Sequence, residues 1–243
     1  MLRRIHVPAL RIGDIRLDSS EAHHARDVLR LRSGAPIEVF DDSGKTADAV
    51  LVGEGIGDLA VRIEQVREPT HRAQWTIAAA IPKGERADWM VEKLSELGTA
   101  KFIPLAAERS VVLPEGKNKP QRWTRIATES AKQSRRQGVM EIAPLTSVAD
   151  VIALLRPPHE PIDAWYLSTA SGALPINKAL QQRKHDSLLL VIGPEGGWTN
   201  SEMDLFQAAG MLDVSLTHTI LRIETAAVAA AAVVASCDAR VGS

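Results

Sequence analysis

The chain is poor in the residues that would announce an unusual compartment or an unusual chemistry. It has one cysteine, Cys237, in 243 residues; a single thiol closes no internal disulfide and cannot furnish a Cys-rich zinc site. It has no long apolar run. The longest, Ala226 to Ala235, is ten mostly small residues, against the roughly 20 that a bilayer-spanning helix needs. Arg3 and Arg4 are followed by Arg11 and Asp14 rather than by an apolar stretch, so no secretory signal is visible, and a cytoplasmic location is expected. Excess charge is missing too. Lys and Arg total 29 against 30 Asp and Glu, a formal net charge of -1, so any nucleic-acid contact must be a local patch rather than a global basic field. His23 and His24 are adjacent and point in different directions on a helix, and no metal is expected. There is no internal repeat and no low-complexity tract.

What remains is the composition of an ordinary globular protein, 45% hydrophobic and 24% charged, long enough for one or two domains with a substantial core. The first seventy residues read as short strands punctuated by turns. Ile37 to Phe40 runs into Asp41-Asp42-Ser43-Gly44, Ala47 to Val52 follows, and Gly53 to Gly57 leads to Leu59 to Ile63. One helix interrupts them, opened by Asp18 and Glu21 at capping-box spacing with Ala22, Ala25, Val28 and Leu29 on one face. Arg67 to Arg72, polar and broken by Pro69, reads as a linker. From Trp75 onward strands alternate with helices: Thr76 to Ile81, a helix with Ala87, Met90, Val91, Leu94 and Leu97 inward that stops at Gly98, Phe102 to Leu105, a helix over Trp123 to Ser134, Ala164 to Leu167, and Leu188 to Ile192. That alternation predicts an α/β domain with a parallel sheet covered on both faces. The expected division is residues 1–70 and 73–243.

Two segments near the C-terminus carry the chemistry. Leu188 to Ile192 empties into Gly193-Pro194-Glu195-Gly196-Gly197-Trp198, with Thr199 and Glu202 at capping-box spacing and Gly210 placed to close the helix that follows. In open α/β sheets ligands sit outside the carboxyl ends of strands, and glycines let backbone N–H groups approach a ligand. The segment has no Lys-Ser/Thr ending of a P-loop and is not a dinucleotide fingerprint; taken alone it reads equally well as a tight strand-to-helix connection. About twenty residues on, Ile220-Leu221-Arg222 enters a helix with Glu224 in its first turn, where an acid suits the helix dipole. An alanine-rich stretch, Ala226 to Ala232, follows; it is a strong helix former.

These pieces, in this order, resemble the SPOUT-class RNA methyltransferase family that methylates N3 of a uridine in bacterial 16S ribosomal RNA. Its pattern of Gly-Pro-Glu-Gly-Gly, a helix, then Leu-Gly-x-Arg-Ile-Leu-Arg-x-Glu-Thr-Ala is matched by Gly193 to Gly197, Leu216, Ile220 to Arg222 and Glu224 to Ala226. Pro82 to Arg86, Lys93, Glu96 to Gly98, Glu108-Arg109-Ser110, Arg122-Trp123, Glu129, Gln133 to Arg136 and His24 with Val28-Leu29-Arg30 also fall in the family's order. The resemblance implies a PUA-like β-barrel that binds RNA, a trefoil-knotted SPOUT domain, S-adenosyl-L-methionine as methyl donor, and a homodimer acting on 16S ribosomal RNA of the small ribosomal subunit. It further implies a cofactor site at Leu167, Gly193, Pro194, Glu195, Gly196, Gly197, Leu216, Ile220, Leu221, Arg222 and Thr225. The chain departs from the pattern where Thr217, His218 and Thr219 replace Gly-x-Arg and Ile223 replaces a common threonine.

Methyl transfer from a sulfonium is an in-line displacement that needs no metal. Uracil N3 becomes nucleophilic as its proton leaves, so a site must accept that proton or stabilise the developing anion. Arg136 and Arg222 are the candidate stabilisers, and Glu195 or Glu129 the candidate acceptor; Glu195 reads equally as a residue that only fixes its loop. Cys237 is placed for packing rather than for nucleophilic attack. For RNA, residues 113–138 hold Lys117, Lys119, Arg122, Arg125, Lys132, Arg135 and Arg136 against Glu115 and Glu129, a local net charge of +5, although charged runs are often solvated helix faces. Arg3, Arg4, Arg30, Lys83, Arg86, Arg109, Arg122 and Arg135 are the candidate RNA contacts. The first seventy residues, with 10 basic and 12 acidic side chains, cannot bind RNA by bulk charge. A ribose 2′-O-methyltransferase and a non-catalytic ribosome-associated RNA-binding protein are the competing readings.

Overall fold

The computed structural model describes residues 2–53, 55–70, 74–112 and 118–238. His71 and Arg72 of the expected linker, and Glu115 and Lys117 of the basic stretch, lie outside them. The chain forms two compact units. The first takes residues 1–72 and 128–139, the second 73–127 and 140–243.

In the first unit β1 (Arg3–His6), β2 (Gly13–Arg16), β3 (Pro36–Phe40), β4 (Thr46–Val52) and β5 (Ala60–Ile63) form one sheet in the order β1-β3-β4-β5-β2. β1 runs parallel to β3, and the remaining pairs are antiparallel. The side-chain period of two is visible in β4, where Ala47, Ala49 and Leu51 are buried and Asp48 and Val50 are not. They pack with Ile5, Ile37, Val39, Val61 and Ile63 against Ala22 and Ala25 of the helical segment between β2 and β3. That helix, α1 (Ser19–His23), passes directly into a π-helical turn, His24–Val28. Asp18 caps it, accepting from the N–H groups of Ser20 and Glu21 at 2.8 and 2.9 Å. Glu21 does not complete the expected capping box. Its carboxylate is buried and accepts from Lys132 instead, because a buried acid needs a cation more than a helix end needs a second cap.

In the second unit β6 (Trp75–Ala79), α2 (Arg86–Glu96), β7 (Lys101–Ala106), the start of α3 (Asn118–Ser134), β8 (Glu141–Ile142), β9 (Thr146–Ser147), α4 (Val148–Ala153), β10 (Asp163–Leu167), β11 (Leu174–Pro175), α5 (Ile176–Gln181), β12 (Leu188–Ile192), α6 (Asn200–Ala208), β13 (Leu212–Ser215) and α7 (Ile223–Asp238) follow in turn. The sheet order is β11-β13-β10-β12-β6-β7-β8, with β9 also on β7, and every pair is parallel. β12 lies at its centre, and all five of its residues are buried, the continuous apolar run that a strand covered on both faces requires. α2 buries Ala87, Met90, Val91 and Leu94 and ends before Gly98, whose φ of +90° takes the left-handed conformation that stops a helix. In α3, Trp123 is fully enclosed, edge-on to Phe102 at 6.0 Å, and its indole N–H donates to Asp88 at 2.9 Å. α7 buries Ala227, Ala230, Ala231 and Val234 and packs on α2, where the small side chains let the two backbones come close. Among the described residues no helix is long and apolar enough to cross a membrane.

Candidate active site

β10, β12 and β13 are neighbours in the sheet although two helices and a further strand separate them in sequence. Their carboxyl ends therefore deliver three loops to one place, the position at which open parallel sheets bind ligands. Between the loops lies a cavity of about 520 Å³, inside the roughly 300–1,000 Å³ range of small-molecule sites. Residues 167–170 form one wall, 192–198 a second, and 216–221 a third, with Met203 and Ala226 completing it.

Local sequence explains each wall. The turn after β12 is closed by the Gly197 N–H donating to the Pro194 carbonyl at 2.9 Å, with Gly197 at φ +69°. Trp198 folds back beneath it, and its indole N–H donates to the Leu167 carbonyl at 2.8 Å, tying the second wall to the first. The Trp198 ring packs edge-on against Phe206 at 4.8 Å, and Phe206 stacks on Tyr166 at 4.7 Å. α6 then begins with the expected capping box: Thr199 accepts from the Glu202 N–H, and Glu202 accepts from the Thr199 N–H at 2.9 Å. Gly210, at φ +71°, closes that helix as its position predicts. In the third wall the Thr217 hydroxyl donates to the Thr219 carbonyl at 2.8 Å and accepts from the Thr219 N–H at 3.3 Å. This side-chain turn takes the place of the family's glycine: a hydroxyl holds the chain where flexibility would otherwise let it bend.

Leu167, Gly193, Pro194, Glu195, Gly196, Gly197, Leu216, Ile220 and Leu221 all line the cavity. Arg222 and Thr225 do not; both side chains are exposed at the start of α7. Ser168, Thr169, Ala170, Trp198, Met203, Thr217 and Thr219 line it without having been singled out for the site, and for the first three the available signal was their place directly after a strand end. Glu195 is the one charged side chain among the described residues that line the cavity. Mostly apolar walls with a single carboxylate suit a ligand that pairs an aromatic body with a cationic centre.

The other two candidate catalytic residues, Arg136 and Glu129, belong to the first unit. Glu129 accepts from Lys132 at 2.7 Å. Burial lowers the Arg136 guanidinium pKa from its ordinary value to about 10. Of the candidate RNA contacts, Arg3, Arg30 and Lys83 are exposed and in no ion pair among the described residues. Arg4 is only 7% exposed. It pairs with Glu38 at 2.7 Å, stands over the Phe40 ring, and donates to the carbonyls of Ala131 and Arg136 at the end of α3. Arg135, left-handed at φ +58°, donates to the Leu2 carbonyl at 2.6 Å. Arg122 pairs with Asp88, Arg86 with Glu224 at 3.1 Å, and Arg109 donates to two carbonyls of the turn after β12. Lys132, counted in the basic stretch, is buried between Glu21 and Glu129. The cationic surface is thus smaller than the charge count suggests.

A family described as an RNA methyltransferase domain matches residues 69–235, and one described as an RNA methyltransferase PUA domain matches residues 17–64. The chain belongs to the RNA methyltransferase family. It is 31% identical to ribosomal RNA small subunit methyltransferase E of Bacillus subtilis over 217 residues, covering 86% of this chain and 85% of that one. It is 33% identical to the protein of the same name from Synechocystis, covering 87% and 69%. Among solved structures, that of a ribosomal RNA small subunit methyltransferase E from Neisseria gonorrhoeae bound to S-adenosyl methionine superposes with a TM-score of 0.83 at 26% identity, covering 97% of this chain and 98% of that one. A putative methyltransferase from Legionella pneumophila in complex with the same cofactor superposes with a TM-score of 0.82 at 27% identity, again covering 97% and 98%.

Proposed function

We propose that this RNA methyltransferase transfers a methyl group from S-adenosylmethionine to N3 of a uridine in 16S ribosomal RNA of the small ribosomal subunit. One observation carries the reading. The three strand ends enclose a 520 Å³ cavity whose single charged side chain is the carboxylate of Glu195, a fit for an adenosine joined to a sulfonium cation. That donor supplies a methyl group already activated for in-line displacement. Backbone groups of Leu167, Gly193, Leu216 and Leu221 hold its adenosine.

The chain's own task is then the uracil. Glu195 accepts the N3 proton and Arg222 stabilises the charge that spreads onto the uracil carbonyl oxygens; Arg136 as a stabiliser and Glu129 as an acceptor or orienter are further candidates for these roles, both carried by the first unit. Residues 1–70 are the RNA-binding module and residues 73–243 the catalytic domain; of the latter, residues 128–139 group with the first compact unit. Arg3, Arg30 and Lys83 are the exposed cations best placed for phosphate, with Arg86, Arg109, Arg122 and Arg135 engaged mainly within the protein. The working form is a cytoplasmic homodimer.

The test is incubation of small ribosomal subunits from an unmethylated strain with labelled donor, followed by nucleoside analysis and reverse transcription. A labelled N3-methyluridine and a strong transcription stop are expected. A ribose methyl with no stop establishes the 2′-O reading instead, and donor binding without any transfer marks a non-catalytic RNA-binding protein.

A further inference from the structure

Arg109 was placed with the candidate RNA contacts, yet its side chain is spent elsewhere. It leaves the loop after β7 and donates from one guanidinium nitrogen to the Gly196 carbonyl at 2.8 Å and to the Trp198 carbonyl at 3.2 Å. Those two residues bracket Gly197 in the second wall of the cavity. The fit is close. A Cβ built on Gly196 would stand 3.2 Å from the Arg109 Cβ, so the side chain lies flat against the turn rather than reaching out from it.

The residues on either side fasten the same connection. The Glu108 N–H donates at 2.9 Å to Glu202, the acid that caps α6. Glu202 is 4% exposed, and its other oxygen serves Thr199. The Ser110 hydroxyl accepts from the Ala107 N–H at 3.1 Å, and the Ser110 N–H donates to the Ala107 carbonyl at 3.0 Å, folding residues 107–110 into a tight turn. β7 and β12 are not adjacent in the sheet, since β6 lies between them. The Glu108-Arg109-Ser110 turn therefore bridges across one strand to grip the loop that bounds the cavity.

We propose that Arg109 is a positioning residue for the methyl donor: by pulling the Gly196 and Trp198 carbonyls back from the cavity, it fixes the turn in the conformation that receives the cofactor. A glycine-rich turn has many conformations to lose, and a charged donor on two carbonyls that flank Gly197 selects one of them before the ligand arrives. The inference rests on reading the cavity as a donor site.

The experiment measures donor affinity by titration calorimetry and RNA affinity as a function of salt, for wild type, Arg109→Ala, Arg109→Gln and Arg109→Lys. Arg109→Ala is expected to weaken donor binding roughly tenfold, the scale of one lost charge-assisted hydrogen bond, and to raise KM for the donor more than it lowers kcat. Arg109→Gln, which keeps an N–H donor without charge, recovers part of the affinity. The slope of RNA affinity against salt is expected to stay unchanged, whereas a lost phosphate contact lowers it by about one. Unchanged donor affinity in Arg109→Ala with a shallower salt slope overturns the proposal and returns Arg109 to the RNA side. Equal loss in the Gln, Lys and Ala variants together with a lowered melting temperature also overturns it, as a packing role. Failure of the wild-type chain to bind the donor is a different result, and it removes the donor reading of the cavity itself.

Discussion

Trp198 and Leu167 are thirty-one positions apart in the chain, and a single hydrogen bond of 2.8 Å from indole to carbonyl joins the loops they occupy. The bond makes the ends of β10 and β12 one rigid lip. It also uses one lone pair of the carbonyl of Leu167, a residue that lines the cavity. Trp198→Phe removes this bond together with the part of the indole that packs against Gly193. The expected cost is about 1 kcal/mol for the bond plus a cavity contribution, with a several-fold weaker affinity for S-adenosylmethionine, read by calorimetry alongside a urea melt.

The same ring explains why residue 193 is glycine. A Cβ there would lie 2.9 Å from the Trp198 indole, a separation that side chains do not tolerate, so the ring would have to shift. Gly193→Ala is therefore expected to displace Trp198 and open the lip. Overpacking of this kind costs about 1–3 kcal/mol, and donor affinity should fall at least as far. A variant that binds donor like the wild type would show that the ring moves freely.

Thr217 can be tested without changing its shape. Thr217→Val is nearly isosteric and removes the hydroxyl that both donates to and accepts from Thr219. With each bond contributing about 0.5–1.5 kcal/mol, a several-fold loss in donor affinity is expected together with a drop in melting temperature of a few degrees, at about 2–4 °C per kcal/mol. Thr217→Gly, which restores the family's residue, loses the same bonds and adds chain entropy, so it should do no better than valine.

The second unit was far easier to read from sequence than the first. Its strands are continuous apolar runs such as Leu188 to Ile192, and its helices carry their own punctuation at Thr199, Glu202, Gly98 and Gly210, all local signals. The walls of the cavity were legible for the same reason: a glycine-rich turn after a buried strand is a local feature with a known place in the fold. What the sequence concealed were the long-range polar partners. Nothing local says that Arg4 ends up beneath the end of α3, over a hundred residues away, or that Glu21 will abandon its own helix end for Lys132. The internal partners of the candidate RNA-contacting arginines share this cause. A count of charges treats every guanidinium as available, whereas the fold spends Arg4, Arg86, Arg109, Arg122 and Arg135 on acids and carbonyls of its own.

Arg4 gives the sharpest stability test of that point. Its guanidinium is almost wholly enclosed, paired with Glu38 at 2.7 Å, and donates to two carbonyls at the end of α3. Arg4→Met leaves the Ala131 and Arg136 carbonyls without this donor and leaves Glu38 to the Arg135 guanidinium at 3.6 Å. Leaving a buried acceptor unsatisfied costs about 1–3 kcal/mol, and a loss of at least that order in unfolding free energy is expected from urea melts. A surface arginine contacting phosphate would instead change RNA affinity and leave the melt alone.

Arg136 is expected to behave in the opposite way. Burial lowers its pKa from the ordinary arginine value to about 10, so the unfolded chain holds this proton more tightly than the folded one. Stability rises with pH wherever the unfolded state binds more protons. Burying the charged form therefore costs stability at neutral pH, and the cost fades as pH rises through about 10. Arg136→Met removes the charge while keeping bulk in the same space. The wild type should gain stability relative to the variant as pH rises from about 8 toward about 11, in paired urea melts. On the proposed role as a cation for the uracil anion, methylation should fall steeply in the variant. A variant that shows no such pH-dependent difference and has unchanged turnover would remove Arg136 from the site.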